Sequence, residues 1–390
     1  MKLLLYSTYI PGGTDGTSNT SRQLVPALEE KGINVTMCTS SVGWPPPEIS
    51  AQRSEKVRIY RSWFNSSADF CPGISLYFRK NLQEFDIVQL DGFYNFPTIL
   101  GSYYASKYKI PYLICPRGAR IPTRQIEKTI RRPKVKSFVF KLLSRRTLEG
   151  ARYIVCTSRM EEERLYEQLG LNNYTYINNG LDVAYYSKHV NRSLLEDNIG
   201  IAPQRPIFLF LGRLAYEKAL TFLLDVWKMV VKKIPDALLV MAGKSYQGYQ
   251  EVLLNRIANI RCSESVVLSG SVSGDLKLAL LQWSRCLLLP SYAESFGNVV
   301  LESLASGTPV IASVGTPWKE LEDNQFGKWL MWDAERWAEA MVTISSDEKY
   351  QDENFRKRSQ QWVAENYSWS KVAERYVQLY GRVLKGDNTH

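Results

Sequence analysis

Two acidic residues in the second half of the sequence have the spacing of a ligand-binding pair. Glu294 and Glu302 have seven residues between them, and Gly297 lies in that interval, just before a helical pattern. We therefore place Glu294 in a loop and Glu302 within two turns of the helix. Both carboxylates can then face one cleft and accept hydrogen bonds from vicinal hydroxyls. The start of that helix, at Gly297 and Asn298, is a predicted anion site as well.

Two basic residues follow an apolar run earlier in the same half. Arg213 and Lys218 lie five positions apart in a Gly-Arg-Leu-Ala-Tyr-Glu-Lys segment, where a strand pattern gives way to a helical one. A guanidinium offers a fixed fork of donors and an ammonium a mobile point charge, so the pair suits neighbouring phosphates. Taken alone, an ordinary solvated pair of basic residues explains this spacing equally well.

A glycine-rich turn follows the first apolar run of the chain. Gly12 and Gly13 precede a helical pattern, so their backbone N–H groups could approach a phosphate at the helix N-terminus. The segment contains neither the dinucleotide-binding glycine pattern nor a P-loop. A phosphate loop and a structural turn therefore both remain open.

The positive charge is concentrated in the first half. The chain has 390 residues and a net charge of +10, and residues 191–390 contain equal numbers of basic and acidic side chains. Between Arg117 and Arg146 lie eleven basic residues and one acidic residue. The apolar positions within this stretch can share one helix face, which is typical of a helix lying in a membrane interface. A solvated helix or a plain core-facing helix is the alternative.

The sequence lacks the residue patterns of several other kinds of functional site. It has two histidines, His189 and His390, and no Asp-x-Asp motif, so we expect no metal site. Six cysteines are scattered without a Cys-x-x-Cys pair, which indicates a reduced, cytoplasmic protein. No window reaches the roughly 18 apolar residues of a membrane span, and we expect a soluble chain.

Short apolar runs alternate with helical stretches along both halves, which predicts parallel sheets covered by helices. The predicted strands of the first half are Lys2–Thr8, Val35–Thr39, Ile87–Leu90, Tyr112–Cys115, Tyr153–Thr157 and Tyr174–Ile177, and the predicted helices are Asn19–Lys31, Phe96–Tyr108 and Ser158–Leu169. The predicted strands of the second half are Ile207–Leu211, Ala237–Ala242, Val266–Ser269, Leu287–Leu289 and Pro309–Ala312. Asp182–Pro206 is polar and aperiodic and is predicted as a linker, and Asp333–Lys385 is predicted to be helical.

These motifs, in this order, resemble the retaining glycosyltransferases of family 4, which have the two-domain GT-B fold. The resemblance is most specific in the Arg213–Lys218 segment and the Glu294–Glu302 segment, and Ile177–Asp182 is similar to a further family motif. It implies an α/β protein of two tandem Rossmann-like domains with a donor cleft between them and a helical C-terminal tail. The implied domains are 1–190 for the acceptor and 191–370 for the nucleotide sugar, with a helix at 371–390 that crosses back to the first domain.

The resemblance also implies roles for individual residues. Arg213 and Lys218 would neutralise the donor diphosphate, Glu302 would hold the ribose hydroxyls, and Glu294 would hold the donor sugar. Arg213, Lys218 and Glu294 are accordingly the expected catalytic residues. The expected donor-binding residues are Gly12, Gly13, Gly270, Val272, Ser295, Phe296, Gly297, Asn298 and Glu302, of which Gly270 and Val272 would line the nucleobase pocket. The chain has Arg117 in a Pro-Arg-Gly segment, where many relatives have a histidine. The resemblance places Arg117 near the donor or acceptor.

The implied activity is metal-independent transfer, with retention, from a UDP- or GDP-linked sugar to a glycan or lipid-linked acceptor. The expected pathway is cell-surface polysaccharide or lipopolysaccharide synthesis, at the inner face of the cytoplasmic membrane. No cofactor and no nucleic-acid partner are expected. The basic residues expected on the acceptor or membrane side are Arg117, Lys134, Lys136, Lys141, Arg145 and Arg146. The alternative is an inactive, basic α/β protein that binds membrane lipid or nucleic acid.

Overall fold

A computed structural model of the protein describes residues 1–7, 16–42, 57–62, 70–92, 95–117, 145–202, 204–260 and 262–386. The chain divides into two units. Unit 1 comprises Met1–Gly180 together with Trp369–His390, and unit 2 comprises Leu181–Ser368. Unit 2 is therefore inserted, as one continuous segment, into the sequence of unit 1.

Unit 1 contains a seven-stranded parallel sheet with the order β3-β2-β1-β4-β5-β6-β7. Its strands are β1 (Lys2–Tyr6), β2 (Asn34–Val42), β3 (Val57–Ser62), β4 (Ile87–Asp91), β5 (Tyr112–Cys115), β6 (Tyr153–Cys156) and β7 (Tyr174–Tyr176). Beyond Lys2, the strand β1 is apolar on both sides, because side chains alternate between faces and both faces are covered. Leu3 and Leu5 pack into one core, whereas Leu4 and Tyr6 pack into the other.

Helices lie against both faces of this sheet. They are α1 (Gly16–Glu30), α2 (Pro72–Asn81), α3 (Phe96–Lys107) and α4 (Arg159–Leu169). The helix α4 illustrates which residues determine where a helix begins and ends. Ser158 Oγ accepts a hydrogen bond from the Glu161 N–H at 3.1 Å, and Gly170 ends the helix with φ of +64°.

Unit 2 contains a six-stranded parallel sheet with the order β10-β9-β8-β11-β12-β13. Its strands are β8 (Ile207–Leu211), β9 (Leu238–Ala242), β10 (Val266–Gly270), β11 (Ser284–Leu289), β12 (Val310–Ser313) and β13 (Gly327–Leu330). The helices that follow in chain order are α5 (Val183–Ser187), α6 (Ser193–Ile199), α7 (Leu220–Lys233), α8 (Tyr249–Ala258), α9 (Gly274–Trp283), α10 (Asn298–Ala305), α11 (Glu320–Asp323), α12 (Ala334–Ser346) and α13 (Glu353–Tyr367). A single hydrophobic core spans both faces of this sheet.

The last helix, α14 (Trp369–Lys385), packs in unit 1. Its buried side chains, which include Trp369, Tyr376 and Leu379, join the core on the face of the first sheet that α1 also covers. The predicted helical tail is confirmed as three helices, α12 to α14.

The sequence-based prediction of two parallel α/β domains is confirmed, but three features differ from it. The strands β3 and β13 and the helix α2 were absent from the predicted set. The segment expected to be a linker contains α5 and α6 instead. Tyr186 and Leu195 anchor these helices in the core of unit 2, so the observed boundary falls after Gly180 rather than after residue 190.

Among the helices in the described ranges, none combines the length and the apolar character that crossing a membrane would require.

Candidate functional site

The loop after β8 contains both of the predicted phosphate ligands. Arg213 lies two residues after the strand, donates to the Glu217 carboxylate at 3.3 Å and has its guanidinium over the Tyr246 ring, 5.0 Å from the ring centre. Its side chain is 53% exposed. Lys218 ends a short 3₁₀ turn, Tyr216–Lys218, which leads into α7. Parallel strands place such loops at the carboxyl edge of the sheet, where α/β proteins bind their ligands.

Lys218 and Glu294 form an ion pair that joins the loops after β8 and β11. Both side chains are largely buried, at 13% and 14% exposure. Glu294 Oε1 also accepts a hydrogen bond from the Ser291 hydroxyl at 2.9 Å, and the Glu294 N–H donates to the Gly315 carbonyl at 3.0 Å. An ammonium has three N–H donors, so its bond to Glu294 leaves Lys218 two with which to approach an anion.

The turn into α10 is fixed by a crowded glycine. Gly297 has φ of +84°, and a side chain there would begin 3.2 Å from Leu289 and 3.3 Å from the indole nitrogen of Trp318. The adjacent Phe296 is buried against the Trp318 ring, and its carbonyl accepts the indole N–H. Ser295 and Asn298 flank this turn and are half-buried. The strained backbone thus positions the first N–H groups of α10.

Glu302 lies on α10, 7% exposed, among groups that the sequence analysis did not select. Its Oε1 accepts a hydrogen bond from the Tyr186 hydroxyl and forms an ion pair with the Lys277 ammonium, each at 2.8 Å. Tyr186 belongs to α5 and Lys277 to α9. The buried phenol has its pKa raised by desolvation and by the neighbouring Glu302 carboxylate, so it remains a donor.

The segment expected to line a nucleobase pocket lies between β10 and α9. Gly270 ends the strand with φ of +71°, and Val272 is partly buried against the core of unit 2. Lys277 lies on α9, four residues after Ser273, which directly precedes that helix. The chain therefore passes directly from the predicted base-binding segment to the cation that contacts Glu302.

Arg117 has a set of buried partners in unit 1. It follows β5 with φ of +52°, and its side chain is 6% exposed. The guanidinium donates to Asp91 at 3.3 Å, to Asn179 at 3.0 Å and to the Tyr376 hydroxyl at 3.4 Å. These contacts join β4, the segment after β7 and α14. Its expected place near the donor or acceptor stays a prediction.

The other expected residues of the first half are only partly within the described ranges. Arg145 and Arg146 are exposed in the short helical stretch 145–149, and Arg145 forms an ion pair with Glu149 at 2.7 Å. Gly12, Gly13, Lys134, Lys136 and Lys141 lie outside the described residues.

Three residues of the site escaped the sequence analysis. Ser291 lies two residues after the predicted strand Leu287–Leu289 and three before Glu294, and could have been selected on that ground. Lys277 lies one turn into the helix that follows the predicted base-binding segment, which is the signal that could have identified it. Tyr186 had no such signal, because it lies in the segment predicted as a linker.

The described part of unit 2 thus combines two functional clusters on neighbouring elements. The cluster of Lys218, Glu294 and Ser291 can bind an anionic group together with hydroxyls, and the cluster of Glu302, Lys277 and Tyr186 can bind hydroxyls. Such an arrangement suits a ligand that carries both phosphate and sugar.

Two comparisons with protein families cover most of the chain. Residues 14–185 match the family described as Glycosyltransferase Family 4, and residues 191–362 match Glycosyl transferases group 1. The chain is also 28% identical over 214 residues to D-inositol 3-phosphate glycosyltransferase of Nocardia farcinica, which is 53% of this chain and 46% of that protein. The chain thus spans about half the length of the curated relatives of this kind that it matches.

Solved structures share the fold along almost the entire chain. Sucrose-phosphate synthase from Thermosynechococcus elongatus superposes with a TM-score of 0.75 at 18% identity, over 99% of this chain and 100% of that one. The Anabaena protein HepE, in complex with UDP-glucose, superposes with a TM-score of 0.73 at 14% identity, over 98% of this chain and 99% of that one.

Proposed function

Because the chain belongs to the family 4 glycosyltransferases of GT-B fold, we propose that it transfers a sugar from a UDP- or GDP-linked donor, with retention and without a metal. The observation that supports this proposal is the largely buried ion pair of Lys218 and Glu294, because it joins the cation that we assign to the phosphate to the carboxylate that we assign to the sugar. HepE, which shares the fold, is complexed with UDP-glucose, and this supports a nucleotide-sugar donor.

The proposed chemistry is stabilisation of a leaving diphosphate. As the bond between the anomeric carbon and the phosphate oxygen breaks, negative charge develops on that oxygen. Arg213, Lys218 and the N-terminus of α10 supply preorganised positive potential there. The acceptor hydroxyl attacks the same face of the sugar, and its proton passes to the departing phosphate. No side chain of the protein is needed as the base.

Two measurements test the activity. Thermal shifts with UDP, GDP and ADP identify the nucleotide, since a ligand at a hundred times its Kd adds about 2.7 kcal/mol of stability. Donor turnover is then compared with that of Lys218→Met, for which we expect a loss of about 10²- to 10³-fold at saturating donor. Lys228→Met is the matched control, because Lys228 is on the exposed side of α7 and pairs with Asp225 at 2.8 Å. Full turnover by the Lys218 variant would refute the diphosphate assignment.

For the acceptor, we propose a glycan or lipid-linked glycan at the inner face of the cytoplasmic membrane, in the synthesis of cell-surface polysaccharide or lipopolysaccharide. The support is the charge distribution, since the net charge of +10 lies in residues 1–190. Basic residues near an anionic surface contribute about 1 kcal/mol each, within a Debye length of about 10 Å at 0.1 M salt.

Sedimentation with anionic vesicles at low salt tests this membrane contact. We expect a variant with five basic residues exchanged for Gln to lose sedimentation, whereas its donor binding should not change. The exchanged residues are Lys134, Lys136, Lys141, Arg145 and Arg146. The control removes the same charge from unit 2, at the exposed residues Lys232, Lys233, Arg336, Lys349 and Lys357. Equal losses in both variants would mean that total charge, rather than this segment, governs binding. Binding to vesicles without donor turnover would favour the inactive lipid-binding alternative.

A further inference from the structure

The Glu302 carboxylate is held from one side by two donors. Tyr186 and Lys277 both contact Oε1, and the Lys277 ammonium also lies 3.1 Å from the Tyr186 hydroxyl oxygen. The three groups close a triangle in which each touches the other two. A carboxylate held at two contacts has its plane fixed as well as its position.

The second oxygen of Glu302 is left for a ligand. Within the described residues no side chain or backbone group donates to Oε2, and the Glu302 side chain keeps 10% exposure. A carboxylate oxygen has two lone pairs, so Oε2 can accept from both hydroxyls of a vicinal diol. A ligand that lacks one of the two hydroxyls leaves Oε2 with an unused lone pair, and its affinity is lower for that reason. The site therefore selects a diol over a single hydroxyl.

The two donors are themselves anchored by one helix. Gln282, on α9, donates from its side-chain amide to the Lys188 carbonyl at 2.5 Å and accepts from the Val190 N–H at 3.1 Å. These contacts fix the chain just after Tyr186, while Lys277 lies on the same helix. The Asp182 carboxylate caps α5 through the Tyr185 N–H at 3.1 Å. Both donors are therefore preorganised before any ligand arrives.

Stability alone is a poor reason for this arrangement. The Glu302 side chain is 10% exposed and the Lys277 side chain 23%, so desolvation opposes burying these charges. A buried ion pair is often no better for stability than well-packed apolar residues. Charged groups that are clustered and partly buried beside a ligand site are more often functional.

We propose that Tyr186 and Lys277 are positioning residues that orient Glu302 toward the ribose diol, and that they give the site its preference for ribonucleotides over 2′-deoxyribonucleotides. This inference rests on the proposed function, since it takes the ligand to be a nucleoside diphosphate. It concerns residues outside the motifs that identified the site.

The test is calorimetric titration of the full chain with UDP and 2′-deoxy-UDP, or with the guanosine pair if GDP gives the larger thermal shift. We expect the wild type to bind the ribonucleotide about tenfold more tightly or better, because the lost hydrogen bond involves a charged acceptor. Tyr186→Phe and Lys277→Met should each reduce this ratio to about threefold or less. Lys277→Arg keeps the cation and should retain most of the preference.

Two controls separate positioning from a general loss of structure. Lys188→Met removes a lysine that pairs with Asp275 at 3.4 Å at the exposed surface, and it should leave the ratio unchanged. Glu302→Gln should abolish the preference. Melting temperatures identify any variant that fails to fold, and Tyr186→Phe and Lys277→Arg change too little to share such a failure.

The outcomes are distinct. If both nucleotides bind the wild type equally, or if Tyr186→Phe and Lys277→Met keep the wild-type ratio, the inference is overturned while the proposed function stands. Weaker binding of both nucleotides at an unchanged ratio would show a merely structural role. If the wild type binds neither the uridine nor the guanosine nucleotide, the proposed function fails and this inference fails with it.

Discussion

At the scale of single residues, each acidic group of the site is paired with a lysine. Lys218 contacts Glu294 and Lys277 contacts Glu302, on different elements and with little exposure. Pairing offsets part of the cost of placing these charges in a partly dry environment, where an unpaired charge would be costly. The two carboxylates nevertheless have different surroundings, and therefore different expected roles.

Glutamine substitutions should separate those roles. We expect Glu302→Gln to weaken binding of the free nucleoside diphosphate by about tenfold or more, because the ribose belongs to both donor and product. Glu294→Gln should spare nucleotide binding and lower sugar transfer, because its carboxylate is assigned to the donor sugar. Calorimetry with the diphosphate, together with donor turnover, measures both effects. Equal losses of nucleotide affinity in the two variants would contradict this division.

The residues discussed for the site differed in how readily the sequence alone could identify them. Arg213, Lys218 and Glu294 were identified because their spacing places them at strand-to-helix loops, and Glu302 because it follows Glu294 on the next helix. The partners of Glu302 come from helices that are distant in sequence, so spacing along the chain carries no information about them. The burial of Arg117 was equally invisible, because two of its three partners follow it by more than 60 residues.

At the scale of elements, the start of α10 depends on a glycine that is both left-handed and crowded. Gly297 has φ of +84°, with Leu289 and Trp318 within 3.3 Å of the position of a side chain. Gly200, which ends α6 with φ of +67°, has no atom within 4 Å of that position. The two glycines share the backbone conformation and differ in crowding.

This contrast allows strain and crowding to be measured separately. Gly200→Ala should lower the free energy of unfolding by about 1 kcal/mol through backbone strain alone. Gly297→Ala should lower it by about a further 1–2 kcal/mol, because the Leu289 side chain and the Trp318 ring must also give way. Urea unfolding of the full chain, followed through the transition of unit 2, gives both values. Equal effects at the two positions would show that the turn into α10 has room to adjust.

Elements with a clear periodicity of apolar residues were predicted better from the sequence than short helices that are marked only by their capping residues. Of the thirteen strands in the described residues, all but β3 and β13 were expected where runs of apolar residues recur, as was the helical tail, and β7 and β12 are among those found one residue from their expected ends. The helices α5 and α6 are short, and they depend on the Asp182 cap, on Gly200 and on one buried side chain each. Tertiary burial, rather than local pattern, makes them helical.

At the scale of the whole molecule, the thiols report on the integrity of both units. Five of the six cysteines are buried, and Cys262 is half-exposed. Burial raises the pKa of the thiols of Cys115, Cys156 and Cys286, and it does so at Cys38 too. A raised pKa lowers the fraction of reactive thiolate, so burial suppresses both access and reactivity.

We therefore expect a thiol reagent at pH 8 to modify one cysteine of the native chain quickly. The other five should react only as the units open, or after addition of denaturant. A colorimetric assay with an aromatic disulfide counts the equivalents, and Cys262→Ser should remove the fast phase. Rapid reaction of several thiols in the native protein would instead show that a unit opens readily.

The insertion of unit 2 into unit 1 has a consequence for synthesis on the ribosome. The segment Leu181–Ser368 emerges without interruption, so unit 2 can complete its own contacts while translation continues. Unit 1, although its first strand is made earliest, still lacks α14, whose Val372, Tyr376 and Leu379 cover one face of its sheet. The part of that apolar face that α14 covers stays exposed until α14 has left the exit tunnel. A premature stop after Ser368 would release a nascent chain with a complete unit 2 and with part of the core of unit 1 permanently exposed, which is a species that chaperones and proteases recognise.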